Sequence, residues 1–145
     1  MKRLHVSLSV DDLAASIRFY SGLFGSPPTV LKPDYAKWLL DDPRVNLSLV
    51  ARGRIPGLDH LGIQAETPAE LAELAGRLEA AGLAVQDRSA VTCCYARSDK
   101  AWARDPQGIR WEAFHTFAAS DSFDDPAGAP CCPPKPEIET TAPCC

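Results

Sequence analysis

The chain contains two copies of one structural unit, and this duplication limits the possible folds more than any other feature. The first copy opens with an alternating polar and apolar run at 5–10, followed by apolar residues at helical spacing over 13–23. The second copy opens in the same way at 60–65, and its helix-spaced apolar residues cover 71–81. Because alternation indicates a strand and the wider spacing an amphipathic helix, each copy starts with a strand and a helix.

Three shorter runs with strand character follow each predicted helix. The order βαβββ therefore occurs twice, and His5 and His60, which open the two copies, are 55 residues apart. This order predicts an α+β fold in which two βαβββ modules form an open, cup-shaped barrel with the helices on its outer faces. The runs lie at 29–32, 35–40 and 45–50 in the first copy, and at 83–86, 95–104 or only 101–104, and 109–117 in the second.

The composition changes sharply after residue 117. Residues 1–117, which include the modules at about 1–53 and 57–117, carry no net charge, whereas residues 118–145 carry the whole net charge of −4. This last segment also holds six of the 13 prolines and four of the six cysteines, with few large apolar side chains. Such a segment cannot bury enough surface to offset its ordering entropy, so we predict a folded domain over 1–117 and a flexible tail over 118–145.

The charge and the hydropathy pattern exclude several classes of protein. A net charge of −4 argues against binding to nucleic acid, which needs a basic face. No apolar run approaches the roughly 20 residues that span a bilayer, and the N-terminus has no apolar signal-peptide region. We therefore expect a soluble, cytoplasmic protein with neither membrane nor nucleic-acid partner, acting as a monomer or a homodimer.

Strand alternation assigns three ionisable side chains to the concave face of the predicted cup. These are His5 of the first strand, His60 of the fifth and Glu112 of the last, while their apolar neighbours face the helices. Two neutral imidazoles and one carboxylate form the facial triad that holds Fe(II) and leaves positions open for dioxygen or substrate. Manganese, nickel and zinc accept the same ligands, so the metal stays open. His115 is three residues from Glu112 on the same strand, so this strand parity turns its side chain to the opposite face of the sheet, and it is not expected to be a ligand.

Cys93 and Cys94 are adjacent, in a run at 90–96 that we predict to be a loop between two strands. A disulfide between neighbouring residues is strained, so we expect two thiols a few ångström apart. Such a pair suits chelation of a soft, thiophilic atom; zinc is less favoured because no second cysteine or histidine pair has structural-site spacing. The alternative is a pair without a role, one thiol buried and the other exposed.

The duplicated modules, His5, His60 and the closing run Pro106–Glu112 resemble the vicinal oxygen chelate superfamily. This superfamily includes glyoxalase I, fosfomycin-resistance enzymes, extradiol dioxygenases and bleomycin-binding proteins, and the likeness covers residues 1–117. The fold does not choose among these activities. Glyoxalase I has a further glutamate ligand at a position near Ser48 here, so the resemblance favours a three-ligand centre.

Within that superfamily, the run Thr92–Ala96, followed by Asp99–Trp102 and the closing run, resembles the ArsI-type carbon–arsenic lyases. The resemblance implies an Fe(II)-dependent dioxygenase that converts trivalent organoarsenicals, such as methylarsenite, to arsenite and so detoxifies them. It implies that His5, His60 and Glu112 hold the iron, and that a swinging loop carries arsenic bound to Cys93 and Cys94. Relatives are often called cadmium-induced proteins, and many end in cysteine pairs, as here at Cys131, Cys132, Cys144 and Cys145.

Two other functions stay open at this point. An extradiol-type ring-cleaving dioxygenase would use the same triad without the thiols, and a non-catalytic resistance protein would bind arsenic, a metal or a drug. An isomerase of the glyoxalase kind ranks last. Among lesser candidates, parity allows at most one of Tyr35 and Trp38 to line the cup, and core packing is the favoured role. Lys100 is expected to be a solvated loop lysine.

Overall fold

The first strands of the two modules pair with each other and join both modules into one eight-stranded sheet. The computed structural model describes residues 1–124 in the strand order β2-β3-β4-β1-β5-β8-β7-β6. The first module comprises β1 (Arg3–Ser9), α1 (Leu13–Phe24), β2 (Val30–Lys32), β3 (Tyr35–Asp41) and β4 (Arg44–Val50). The second comprises β5 (Gly57–Ala65), α2 (Pro68–Ala80), β6 (Gln86–Cys93), β7 (Ala96–Arg104) and β8 (Arg110–Ala119). This is the predicted α+β fold of two βαβββ modules.

Both helices start at side-chain caps that the sequence supplies. The Asp12 carboxylate accepts a hydrogen bond from the Ala15 amide at the start of α1, and the Thr67 hydroxyl accepts one from the Glu70 amide at the start of α2. Pro68 follows at the first turn of α2, where its missing N–H costs nothing. Among residues 1–124, neither helix is long and apolar enough to cross a membrane.

The outer face of the first half of the sheet packs against α1. Ala36, Trp38, Leu47 and Leu49 are buried there, and the Trp38 indole N–H donates to the Ser26 carbonyl at 3.0 Å. The helix contributes a stripe of partly buried apolar residues to this core: Leu13, Ile17, Tyr20 and Phe24. Because successive strand residues face opposite sides, the residues that alternate with this core point into the concave face.

One strand of the second module differs from the prediction. The strand expected at 83–86 begins only at Gln86 and continues to Cys93. This edge strand is mostly polar and its register shifts between Arg88 and Val91, so it lacks the alternation by which strands are recognised.

The folded region also extends beyond the predicted boundary at residue 117. Strand β8 continues to Ala119, and the Cys94 amide donates to the Phe123 carbonyl at 2.7 Å. Residues 118–124 of the expected tail therefore belong to the fold. The rest of that tail, with its four cysteines, lies outside the described residues.

Gly62 offers a direct test of the central strand pairing. It lies opposite Glu112 in the β5–β8 pair, and a Cβ atom there would be 2.3 Å from the Glu112 carbonyl oxygen. Since backbone must move to relieve this clash, we expect Gly62→Ala to lower the free energy of unfolding by about 1–3 kcal/mol.

The matched control is Gly76→Ala in α2, where a Cβ would meet no atom within 4 Å. This change should raise the free energy of unfolding by about 0.5–1 kcal/mol, because alanine favours a helix over glycine. Urea unfolding followed by circular dichroism measures both variants. Equal stability of Gly62→Ala and the unmodified chain would contradict the pairing described here.

Candidate metal centre and thiol pair

Three strands bring His5, His60 and Glu112 together on the concave face. The two Nε2 atoms are 3.2 Å apart, and the Glu112 Oε2 atom lies 3.4 Å from His60 Nε2 and 3.8 Å from His5 Nε2. All three side chains are buried. The structure therefore brings together the three predicted ligands at the separations that one shared cation requires.

The convergence follows from the register across β1, β5 and β8. His5 lies opposite Gly62, and Gly62 lies opposite Glu112, so these residues form one row across the junction of the modules. Residues directly opposite in paired strands point to the same face. Because Gly62 has no side chain, the imidazole and the carboxylate on either side of it can lean towards each other. His60 lies two residues before Gly62 and thus points to this same face.

Each histidine directs its other ring nitrogen at a hydrogen-bond acceptor. His5 Nδ1 lies 3.0 Å from the Asn46 carbonyl oxygen, and His60 Nδ1 lies 2.7 Å from the Asp59 carboxylate. A carbonyl and an ionised carboxylate can only accept, so both Nδ1 atoms carry the proton and donate it. The Nε2 lone pairs are then directed at the space between the three residues. This arrangement is typical of histidines that bind a metal.

Asp59, which the sequence analysis missed, orients His60. A register shift between β1 and β5 leaves Asp59 as the extra residue of a bulge, which places its carboxylate on the same side as the next residue, His60. Arg110 donates to this carboxylate at 2.7 Å and Arg54 at 3.1 Å. Burial raises the pKa of Asp59, but the His60 hydrogen bond and the two arginines outweigh it and hold the pKa well below the usual range.

Burial and neighbouring charges shift the pKa values of the three candidate ligands in different directions. Burial lowers the pKa of His5 to about 4, so this imidazole is neutral at pH 7. Burial also disfavours the charged form of His60, but hydrogen bonds to Asp59 and Glu112 outweigh it and raise the pKa. For Glu112, burial raises the pKa, while the Lys100 ammonium and the imidazoles bring it well below the usual range. A carboxylate and a neutral imidazole are thus present at neutral pH, and a bound cation would require the neutral form of His60 as well.

Lys100 is the clearest error among the expected positions. Instead of lying in a solvated loop, Lys100 is buried in the middle of β7, and its Nζ atom is 2.6 Å from Glu112 Oε1. Strand β7 runs over Ala96–Arg104, so Lys100 falls on the inward row together with Ser98. The uncertain start of the predicted strand, at 95 or 101, hid this position.

Cys93 and Cys94 lie at the tip of the β6–β7 hairpin and line the same cavity as the triad. Cys93 ends β6, and Cys94 and Tyr95 form a two-residue turn with φ angles of 55° and 60°. Neighbouring strand residues normally face opposite sides, but the left-handed backbone at Cys94 rotates its side chain towards that of Cys93. The two Sγ atoms are therefore 3.3 Å apart.

The hairpin tip is hydrogen-bonded to other segments of the chain, and the loop movement expected from the resemblance stays a prediction. The Tyr95 hydroxyl donates to Asp34 at 2.6 Å, and the Ser120 amide donates to the Tyr95 carbonyl at 2.9 Å. Cys93 and Cys94 are not bonded to each other, as expected, but Cys93 is in a disulfide. The expectation of two thiols is therefore wrong for Cys93 in this structure, and chelation by the pair requires its reduction.

The remaining candidates follow the predicted strand parity. Glu112, Phe114 and Thr116 of β8 line the cavity, whereas His115 does not. Tyr35 lines the cavity, and Trp38 packs in the core under α1. Parity thus separated the two aromatic residues correctly, although the role favoured for Tyr35 was core packing. Ser48, where a further carboxylate ligand would stand, also lines the cavity and is buried.

Residues 2–113 match the sequence model of the Glyoxalase/Bleomycin resistance protein/Dioxygenase superfamily. The chain belongs to this superfamily. A relative from Bacillus sp. (strain MD1), named trivalent organoarsenical cleaving enzyme, is 43% identical over all of this chain and 91% of its own. The cadmium-induced protein CadI of Mycobacterium bovis is 39% identical over 85% of this chain and 82% of its own. The resemblance noted from the sequence is thereby confirmed.

Solved structures of the superfamily share the fold at low sequence identity. An extradiol ring-cleaving dioxygenase from B. fuscum aligns with a TM-score of 0.60 and 20% identity. The alignment covers 82% of this chain and 34% of that chain. At 20% identity, this similarity supports a shared fold and nothing more specific.

The Asp59–His60 hydrogen bond can be tested by metal titration. Replacing Asp59 with asparagine keeps its size but removes the charge that holds the Nδ1 proton of His60. We expect Asp59→Asn to weaken binding of Co(II), a spectroscopic probe, about 10–100-fold, as is usual when a partner of a metal-binding histidine is removed. Calorimetric titration gives the dissociation constants. The control is Asp41→Asn on the exposed end of β3, and equal affinity in both variants would contradict a role for Asp59.

Proposed function

We propose that this protein cleaves the carbon–arsenic bond of trivalent organoarsenicals, with Fe(II) as cofactor and dioxygen as co-substrate. One observation carries the proposal: two donor sets of different chemical softness line a single cavity. The nitrogen and oxygen donors of His5, His60 and Glu112 suit a borderline cation, and the sulfurs of Cys93 and Cys94 suit a soft atom such as trivalent arsenic.

The triad residues fit an iron centre of the facial type. Both histidines donate their Nδ1 protons away from the site, and the Glu112 carboxylate is ionised, so three lone pairs face one point. Iron bound there would activate dioxygen at the positions that the protein leaves open. Asp59 and the Asn46 carbonyl would hold the imidazole rings in orientation.

The cysteine pair would hold the substrate by its arsenic atom. After Cys93 is reduced, the two thiols lose their protons and replace the two hydroxyls of an organoarsenous acid, and the organic group remains on arsenic. Because the turn at Cys94 already brings the sulfurs together, little conformational freedom is lost on binding. Tyr35 and Phe114 line the same cavity and would surround the organic group with aromatic surface.

The overall reaction balances without a further reductant. One methylarsenite, CH₃As(OH)₂, and one dioxygen give one arsenite, As(OH)₃, and one formaldehyde: the C–As bond breaks, carbon is oxidised and dioxygen is reduced. The relative from Bacillus sp. (strain MD1), whose name states cleavage of trivalent organoarsenicals, supports this substrate class. No nucleic acid or membrane takes part in this chemistry, and we propose a cytoplasmic enzyme, monomeric or homodimeric.

Turnover of methylarsenite tests the role of the thiols. The full chain, reduced and loaded with Fe(II), should produce arsenite and formaldehyde in equal amounts while consuming one dioxygen per arsenite. Cys93→Ser and Cys94→Ser should each reduce this rate to the level of protein-free buffer, because one thiol cannot chelate. The double variant Cys131→Ser/Cys132→Ser removes the same chemistry from the tail and should keep the rate. Undiminished turnover in both single variants would remove the thiols from the mechanism.

The triad is tested separately by iron content. His5→Ala, His60→Ala and Glu112→Ala should each lower the iron bound per chain, measured by elemental analysis after anaerobic loading. Unchanged iron in all three variants would place the metal elsewhere. Cleavage of a catechol without turnover of arsenical would identify a ring-cleaving dioxygenase instead, and tight arsenical binding without consumption of dioxygen would identify a sequestration protein.

A further inference from the structure

The two carboxylate oxygens of Glu112 have different partners. Oε2 faces the Nε2 atoms of His60 and His5 at 3.4 and 3.8 Å, whereas Oε1 accepts a hydrogen bond from Lys100 Nζ at 2.6 Å. We propose that Lys100 is a positioning residue that restricts Glu112 to a single metal-binding oxygen and so keeps one more position at the metal open. This inference rests on the metal site of the proposed function.

The strand register fixes Lys100 where it can act on Glu112. Lys100 lies opposite Phe114 in the β7–β8 pair, and Trp102 lies opposite Glu112, so Lys100 is the diagonal neighbour of Glu112 on the same face. Its side chain is 94% buried, and its ammonium lies 5.9 Å from the Trp102 ring centre. Side chains packed in this way have little freedom to leave Oε1.

The Lys100–Glu112 contact is also strong enough to compete with a metal for Oε1. A hydrogen bond between two ionised groups is about twice as strong as one between neutral groups, and this pair is shielded from water. Turning Oε1 towards a cation would break this short, buried hydrogen bond between opposite charges. The second oxygen of a bidentate carboxylate adds little in comparison, because the charge of Glu112 is already beside the ion.

The consequence concerns the number of open positions. A six-coordinate ion bound by two imidazoles and one carboxylate oxygen keeps about three positions for small molecules, whereas a bidentate carboxylate leaves about two. Dioxygen and a substrate atom both need access to such positions. Lys100 therefore determines how many small molecules the metal centre accepts at once.

Mn(II) is the probe for this inference, because its bound waters are counted by water-proton relaxation. The full chain loaded with Mn(II) should hold about three exchanging waters, and Lys100→Met, which keeps the length but removes the charge, should hold one fewer. Lys100→Arg retains a cationic donor and should restore the count. The matched control is Lys37→Met, which removes another lysine that lines the cavity and should leave the count unchanged.

Each outcome decides the inference. An unchanged water count in Lys100→Met, or loss of Mn(II) binding by that variant, overturns it, since the freed carboxylate should hold the ion at least as well. If Lys100→Met does not fold, a crystal structure of the unmodified chain with Mn(II) decides: Oε1 at bonding distance from the ion refutes the assignment. Mn(II) binding without turnover of arsenical by the Fe(II) form refutes the proposed function alone. Absence of any Mn(II) binding refutes both.

Discussion

Gly62 separates His5 from Glu112 in the row that crosses β1, β5 and β8, and the rest of the site depends on the space that this glycine leaves. A side chain there would collide with the backbone of β8, so the two modules could not pair as closely as they do. The junction between the modules and the convergence of the candidate ligands therefore have the same cause, which is the absence of a side chain at Gly62. Duplication of the module supplies one histidine per copy, and the junction places both beside the glutamate of β8.

Burial of so many polar groups on the concave face requires partners for each charge. Asp59 is paired with Arg110 and Arg54, and Glu112 is paired with Lys100. Because buried ions are costly when unpaired, these pairs keep the acids ionised in the interior. Lys100 contacts Glu112 Oε1, whereas Oε2 faces the two Nε2 atoms, so an ionised carboxylate oxygen remains available to an incoming cation.

The alternation of polar and apolar residues was sufficient to predict the fold and the face of the sheet on which the three candidate ligands lie. Parity assigned His5, His60 and Glu112 to the concave face and His115 away from it, because β1, β5 and β8 are regular over these positions apart from one bulge. Parity failed at that bulge, where Asp59 and His60 are neighbours yet point to the same side. No pattern of period two can reveal such a residue.

Other positions could not be predicted because they depend on pairing between distant segments. Lys100 is inward because β7 starts at Ala96, and the length of that strand follows from its pairing with β8 rather than from its own polar sequence. The tight turn at Cys94 and Tyr95 lacks the glycine or asparagine that usually marks one. The contact of residues 120–124 with this turn likewise joins two segments that no local signal connects.

The turn at Cys94 has a consequence for selectivity. Two residues other than glycine hold positive φ angles there, a conformation that the surrounding hydrogen bonds must sustain. The backbone of this turn therefore places both cysteine side chains on one side of the hairpin, where the sulfurs lie 3.3 Å apart. Two sulfurs placed close together discriminate between the atoms that they could bind by atomic radius and by coordination number. Under the proposed function, the pair would suit an element that is satisfied by two thiolates and one carbon better than an ion that demands four sulfurs.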